Sequence, residues 1–323
     1  MRRNRRICYK KRFLLEKSSS FIRKSCFLII IFFFNNIDHQ NYLTKLFKDK
    51  KIIFTFFEPR NKIPGYLQLC MKTWKIFLPE YEIKLLDYKK SKVYLGKELF
   101  TSIICKNMTL QVQADAIRVA ILQKYGGLWM DIDNVMLNGT FIKNIKNSEL
   151  VMIGNDNAKR QYIGFIYASH NSSLLYIWLR NIKIRVNYFK QAIHNNVKYI
   201  NGNKNSANNL RSCNYLGNGI IDKLVVNATK SNFYRLDQYL LNVFPERTFF
   251  KNSSLSYLQK YRLFYFKNRD IKLIFNKTKN ILLLHNSWTP LKYKTITKNK
   301  FLKKNILLSN LLKSILKKKK FYI

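Results

Sequence analysis

Acidic side chains are scarce in this chain: 17 Asp and Glu stand against 60 Lys and Arg in 323 residues, a formal net charge of +43. Glycine (10) and proline (5) are scarcer still, which excludes collagen-like, low-complexity and flexible-linker architectures. The five cysteines, Cys8, Cys26, Cys70, Cys105 and Cys213, are odd in number, far apart and never in a CxxC pair. That pattern argues against a disulfide framework or a structural zinc site and favours a reducing compartment. Long apolar runs are missing too. Cys26–Phe34 is apolar for nine residues behind a basic stretch, whereas a spanning helix takes about 20. It resembles the core of a signal peptide, but no small-residue cleavage site follows it. An interfacial segment or an upstream extension remains the competing reading. Neither a phosphate-binding P-loop nor a Ser-His-Asp signature is present.

What is plentiful is apolar: 47% of residues, with aromatics at 15%. A sizeable buried core is therefore expected despite the charge. The charge itself is concentrated at the ends. Residues 1–24 carry ten basic residues and one acid, and 291–323 carry eleven lysines and none. A net +20 thus lies in two tails and +23 in 25–290. So basic a chain points first to an anionic partner, but the tail-heavy distribution and the lack of any nucleic-acid-binding motif tell against DNA or RNA. Near the end, Phe301, Leu302, Ile306, Leu308, Leu311, Leu312, Ile315 and Leu316 recur at helical spacing among lysines. Two readings fit: a cationic helix on an anionic membrane surface, or a helix packed on the core with a solvated lysine tail.

The middle of the chain alternates strand and helix. The run from Lys51 to Phe57 is β-branched and aromatic and reads as a buried strand; Tyr66, Leu67, Leu69, Cys70, Trp74 and Phe77 make a helical stripe; Tyr81 to Leu86 reads as a second strand. Strand, helix, strand at this spacing predicts a parallel βαβ unit, whose ligands bind beyond the carboxyl ends of the strands.

The stretch TLQVQADAIRVAILQKYGGLWMDIDNVML, residues 109–137, is the most informative. Thr109 can cap a helix running to about Tyr125, with Ala114, Ile117 and Ile121 inward, and Asp115 and Arg118 a turn apart on one face. Gly126 and Gly127 stop it, and Leu128–Met130 makes a short strand ending in Asp131-Ile132-Asp133. Extended alternation would send both carboxylates to one side, where paired oxygens suit a hard divalent cation such as Mn²⁺ or Mg²⁺. A metal held there could bridge a diphosphate and neutralise a leaving group. A DxD alone is common in solvated turns; helix with D-x-x-R, glycine pair, apolar strand and DxD together are far rarer.

QADAIR (113–118) followed by YGGLWMDID (125–133) resembles the sugar-binding DxD glycosyltransferases, the family 32 enzymes and the related capsular polysaccharide synthesis proteins. The likeness begins near Lys51, includes the pattern from Pro64 to Trp74, and ends with HNSW (285–288), covering about 51–290. It implies an α/β, GT-A-like (Rossmann-like) sheet that binds a UDP- or GDP-linked sugar with Mn²⁺ or Mg²⁺. The acceptor would be a glycan or lipid-linked molecule, and the anomeric configuration would be retained. Asp131 and Asp133 match the catalytic and metal-binding DxD, with His285 as a further metal or phosphate contact. Asp115, Arg118, Gly127, Ser287 and Trp288 match donor-binding positions. The spacing from His285 to Trp288 is shorter than the family's usual form. The organisation expected is a basic extension over 1–50, a transferase domain over 51–290 and a basic amphipathic tail over 291–323. The implied location is cytoplasmic, peripheral on the inner membrane face. The alternative is a basic nucleic-acid- or membrane-surface-binding protein whose DxD is structural. Around the expected acceptor side, Asn155–Asn157, Asn218, Asp222, Asp237 and the segment to Glu246 read as structural before catalytic.

Overall fold

A computed structural model describes residues 51–143, 145, 148–155, 160–194, 214–229, 231–276, 278 and 280–318. Strand β1 (Ile52–Phe56) is buried at every position, as a β-branched and aromatic run should be when both faces of a parallel strand are covered. Helix α1 (Gly65–Phe77) leads to β2 (Glu82–Leu86), which pairs parallel with β1. The predicted βαβ unit is present. Helices α2 (Tyr88–Leu95) and α3 (Lys97–Ile103) connect to α4 (Leu110–Tyr125). The Thr109 hydroxyl accepts from Val112 N–H at the start of α4, as its capping role predicts. Gly126 and Gly127 end the helix at φ +64° and +96°, conformations that side chains rarely adopt. Eleven of the sixteen α4 residues are buried, so this helix runs through the core and has no single inner stripe.

Strand β3 (Gly127–Met130) pairs parallel with β1, and β4 (Asn134–Met136) follows after a turn. Next come β5 (Leu150–Asn155), β6 (Arg160–Ala168), the long helix α5 (Ser173–His194), the short α6 (Asn218–Leu224) and β7 (Phe233–Asp237). The main sheet runs β2-β1-β3-β6-β5-β7; β6 is antiparallel to both neighbours and the other pairs are parallel. Beside it, β4 pairs antiparallel with β8 (Ile281–Leu283). This six-stranded mixed α/β sheet flanked by helices is compatible with the expected GT-A-like fold.

Helix α7 (Tyr257–Tyr265) and the C-terminal helix α8 (Leu307–Lys318) complete the body. Leu307, Leu308, Leu311, Leu312 and Ile315 are almost wholly buried, in one cluster with Tyr66, Leu67 and Cys70 of α1 and Tyr261 and Phe264 of α7. The apolar stripe read from the sequence faces protein, so those leucines are not presented to a membrane. The compact body accordingly continues past residue 290, without a break there. Among the described residues no helix is long and apolar enough to cross a membrane. The apolar run Cys26–Phe34 and the basic N-terminal segment lie outside the described residues.

Candidate active site

A cavity of about 350 Å³ opens beyond the carboxyl ends of β1 and β3. Phe56, Phe57 and Glu58 line it after β1, Asp131 to Asp133 after β3, and Asp115 and Arg118 from α4. Ile163 of β6, Asn214 and Asn286 complete its wall. A pocket at strand ends is where an α/β sheet is expected to bind ligand.

Arg118 is the centre of the charge arrangement. Its guanidinium donates to Asp131 Oδ1 at 2.8 Å and to the Ile163 carbonyl at 2.6 Å, and pairs with Asp115 Oδ1 at 3.2 Å. It also stands 5.2 Å from the Trp129 ring centroid, and the Trp129 indole N–H donates to the same Asp131 oxygen at 2.9 Å. The three-residue spacing of Asp115 and Arg118 therefore joins them as expected. What the structure gives Arg118 is a clamp between two carboxylates.

The two aspartates of the DxD do reach one cavity, but not by extended alternation. Strand β3 stops at Met130, and Asp131–Asp133 forms a turn in which Asn134 N–H donates to the Asp131 carbonyl at 3.0 Å. Ile132 is buried in the helical core cluster, which pulls the chain around and brings both carboxylates to the pocket. Asp133 is only 8% exposed. Burial, and then the charge of Asp131, push its carboxyl up to about 7, although the Asn286 N–H donates to it at 2.7 Å. Asp115 is likewise raised to about 7 by burial, against the pull of Arg118.

These features bear on whether a divalent cation suits the site. Asp131 and Asp133 bring two carboxylates to the cavity, while Asp115 is paired with Arg118. Asp131 keeps Oδ2 without a hydrogen-bond donor among the described residues. Hard oxygen donors are what Mn²⁺ or Mg²⁺ takes, and the Asp131 and Asp133 pair fits such an ion. His285 stands apart from this set. Among the described residues no group of three His, Cys, Asp or Glu side chains is placed to hold a metal together. The His285 ring stacks on Phe244 at 5.7 Å and lies 3.9 Å from the Trp288 ring, and its buried Nε2 has no partner among the described residues. Burial, and then Arg247, lower its pKa to about 4.

Of the other predicted site residues, Gly127 shapes the backbone and does not line the cavity; a Cβ there would stand 3.1 Å from the Ile52 carbonyl. Ser287 is exposed, and Trp288 packs edge-on to Tyr261. Asp222 accepts from Asn218 Nδ2 within α6 and from Gln161 N–H of β6, which ties that helix to the strand, and Asp237 accepts from Tyr239 and Leu240 N–H in a local turn. Asp156 and Asn157 lie outside the described residues.

Three positions that sequence reasoning passed over belong to the site. Asn286 lines the cavity and holds Asp133. Gly164 and Gly217 back the carboxylates so closely that a Cβ would come within 2.6 Å of Asp131 Oδ2 and of Asp115 Oδ2. An isolated glycine within a strand, in a chain with only ten, is the signal that could have singled out Gly164.

A comparison with curated proteins returns no match. The family model for capsular polysaccharide synthesis proteins matches residues 31–278, which takes in the sheet, the D-x-x-R helix and the DxD turn. The match covers most of the chain, and the chain belongs to the capsular polysaccharide synthesis protein family.

Proposed function

We propose that this protein is a metal-dependent glycosyltransferase. On this reading it moves a hexose or N-acetylhexosamine from a UDP- or GDP-linked sugar to a glycan or lipid-linked acceptor, with retention of configuration. The observation that carries the reading is the convergence of Asp131, Asp133, Asp115 and Arg118 on one cavity at the strand ends. Asp131 and Asp133 would hold Mn²⁺ or Mg²⁺, which when bound supplies positive charge to a diphosphate leaving group. Arg118 holds Asp131 Oδ1 through the 2.8 Å hydrogen bond, which leaves Oδ2 as the oxygen for the ion. Asp115 stands within the cavity as a hydrogen-bonding partner for sugar hydroxyls. No nucleophile is assigned, in keeping with catalysis that rests on charge and positioning.

The test is turnover of UDP- and GDP-sugars with Mn²⁺, by hydrolysis or transfer. Asp133→Ala should abolish it, and wild-type turnover by that variant would sink the reading. Action at the inner face of a membrane, on a lipid-linked acceptor, belongs to the same proposal. With the α8 leucines buried, attachment through the C-terminal tail would rest on lysines and be reversed by salt in vesicle flotation.

A further inference from the structure

Asn286 is tied to the site in two directions. Its backbone N–H donates to Asp133 Oδ2 at 2.7 Å. Its side-chain Oδ1 accepts from the Tyr66 hydroxyl at 2.5 Å. Tyr66 is wholly buried and comes from α1, 220 residues away in sequence. Behind it lies a small group of buried hydroxyls. Thr289 Oγ1 is 3.3 Å from the Tyr66 oxygen and 3.1 Å from the Tyr261 oxygen, and Tyr261 also accepts from His285 N–H at 3.4 Å.

This arrangement fixes which way the Asn286 amide faces. A tyrosine hydroxyl has one proton; of its two acceptors Asn286 Oδ1 at 2.5 Å is nearer than Thr289 Oγ1 at 3.3 Å, and the proton goes to Oδ1. The amide nitrogen is thereby turned away from Tyr66, and it makes no hydrogen bond among the described residues. Asn286 lines the cavity beside Asp133. An NH₂ group held there, next to the carboxylates that suit a cation, meets whatever anionic group that cation brings in.

From this placement we infer that Asn286 is a ligand-binding residue whose side-chain NH₂ donates to a diphosphate oxygen of the bound nucleotide, and that Tyr66 is its positioning residue. The inference rests on the reading of the cavity as a nucleotide-sugar site. It assigns the late loop a contact made by Asn286, at a position where the family likeness pointed to its neighbours.

The test measures binding, by titration calorimetry of the intact protein with UDP and with GDP in MnCl₂, and Mn²⁺ binding alone by electron paramagnetic resonance. Asn286→Ala keeps the backbone N–H on Asp133, so Mn²⁺ affinity should stay within about twofold. Nucleotide affinity should fall about tenfold or more, the loss expected for a hydrogen bond to a charged group. Tyr66→Phe should weaken the nucleotide severalfold. In the double variant it should add nothing beyond Asn286→Ala, since Tyr66 acts only through that amide. A loss of stability alone would instead persist in both backgrounds. If Tyr66→Phe does not fold, Thr289→Val, which removes the hydroxyl behind Tyr66, takes its place. Wild-type nucleotide affinity in Asn286→Ala overturns the ligand contact; additive losses overturn the positioning role. Weakened Mn²⁺ binding in Asn286→Ala also overturns the contact, since the loop would then act through Asp133. If wild-type protein binds neither nucleotide, the functional reading fails, and the inference with it.

Discussion

Glu246 offers the cleanest measurement of what burial costs in this fold. Its side chain is 1% exposed, accepts from the Tyr265 hydroxyl at 3.2 Å and stands 3.9 Å from Arg247. Burial pushes its carboxyl up from 4.5 to about 7, a shift that already includes the opposing pull of Arg247. Between those two pH values the folded protein keeps a proton that the unfolded chain has lost. Stability therefore falls as pH rises from 4.5 to about 7 and is level above that. A shift of about 2.5 units at about 1.4 kcal/mol each makes the loss about 3 kcal/mol. Glu246→Gln remains neutral at every pH and still offers Tyr265 an acceptor. It should match wild type at pH 4.5 and exceed it by about 3 kcal/mol at pH 8, roughly 6 °C in melting temperature for a body of this size. Thermal melts of both proteins in EDTA from pH 4.5 to 8.5 provide the comparison. Asp115 and Asp133 titrate in both proteins, so they cancel in the difference. A gap that does not change with pH, or a variant that melts below wild type at pH 8, would refute the reasoning.

Three further outcomes are expected. Arg118→Met should destabilise the protein by about 3–5 kcal/mol in urea denaturation at pH 8, because it strands the buried carboxylate of Asp115 and leaves the half-buried Asp131 without its guanidinium partner. A loss below about 1 kcal/mol would contradict the clamp. Gly164→Ala places a Cβ within 2.6 Å of Asp131 Oδ2 and should cost about 1–3 kcal/mol. It should also remove the rise in melting temperature that Mn²⁺ gives the wild type; an intact Mn²⁺ response would show that Asp131 can move freely. Truncation after Asn305 removes five almost fully buried side chains of α8. At about 2 kcal/mol each, that loss rivals the whole stability of a domain, so circular dichroism should show no cooperative melt, and a normal melt would refute the packing argument.

Much of the frame was legible because it depends on local chemistry. The run from Ile52 to Phe56 is β-branched and aromatic at every position, which favours a covered strand; Thr109 and the Gly126–Gly127 pair bracket α4 by capping and positive φ. The two aspartates were legible as residue types at the end of a strand. Their route into the cavity was not, because the turn at Ile132 is made by a core contact to helices distant in sequence. The same limit applies to α8. Leucines at helical spacing look identical whether lipid or protein covers them, and only α1 and α7 decide between the two. Tyr66 was hidden among the apolar residues of its helix, since its hydroxyl matters only against residues 286 and 289.

The burial of α8 against α1 also has a consequence for biosynthesis. Helix α1 is made early, yet the leucines that cover it follow some two hundred residues later. Until then the cluster that Tyr66, Leu67 and Cys70 share with Ile132, Val135 and α7 lacks the cover of α8, on a growing chain with a strongly basic character. The cavity joins Phe56 to Asn286 and closes on the same schedule. A complete cavity and a covered core are therefore acquired together, late in translation, and the nascent protein has an extended interval in which a chaperone can bind α1.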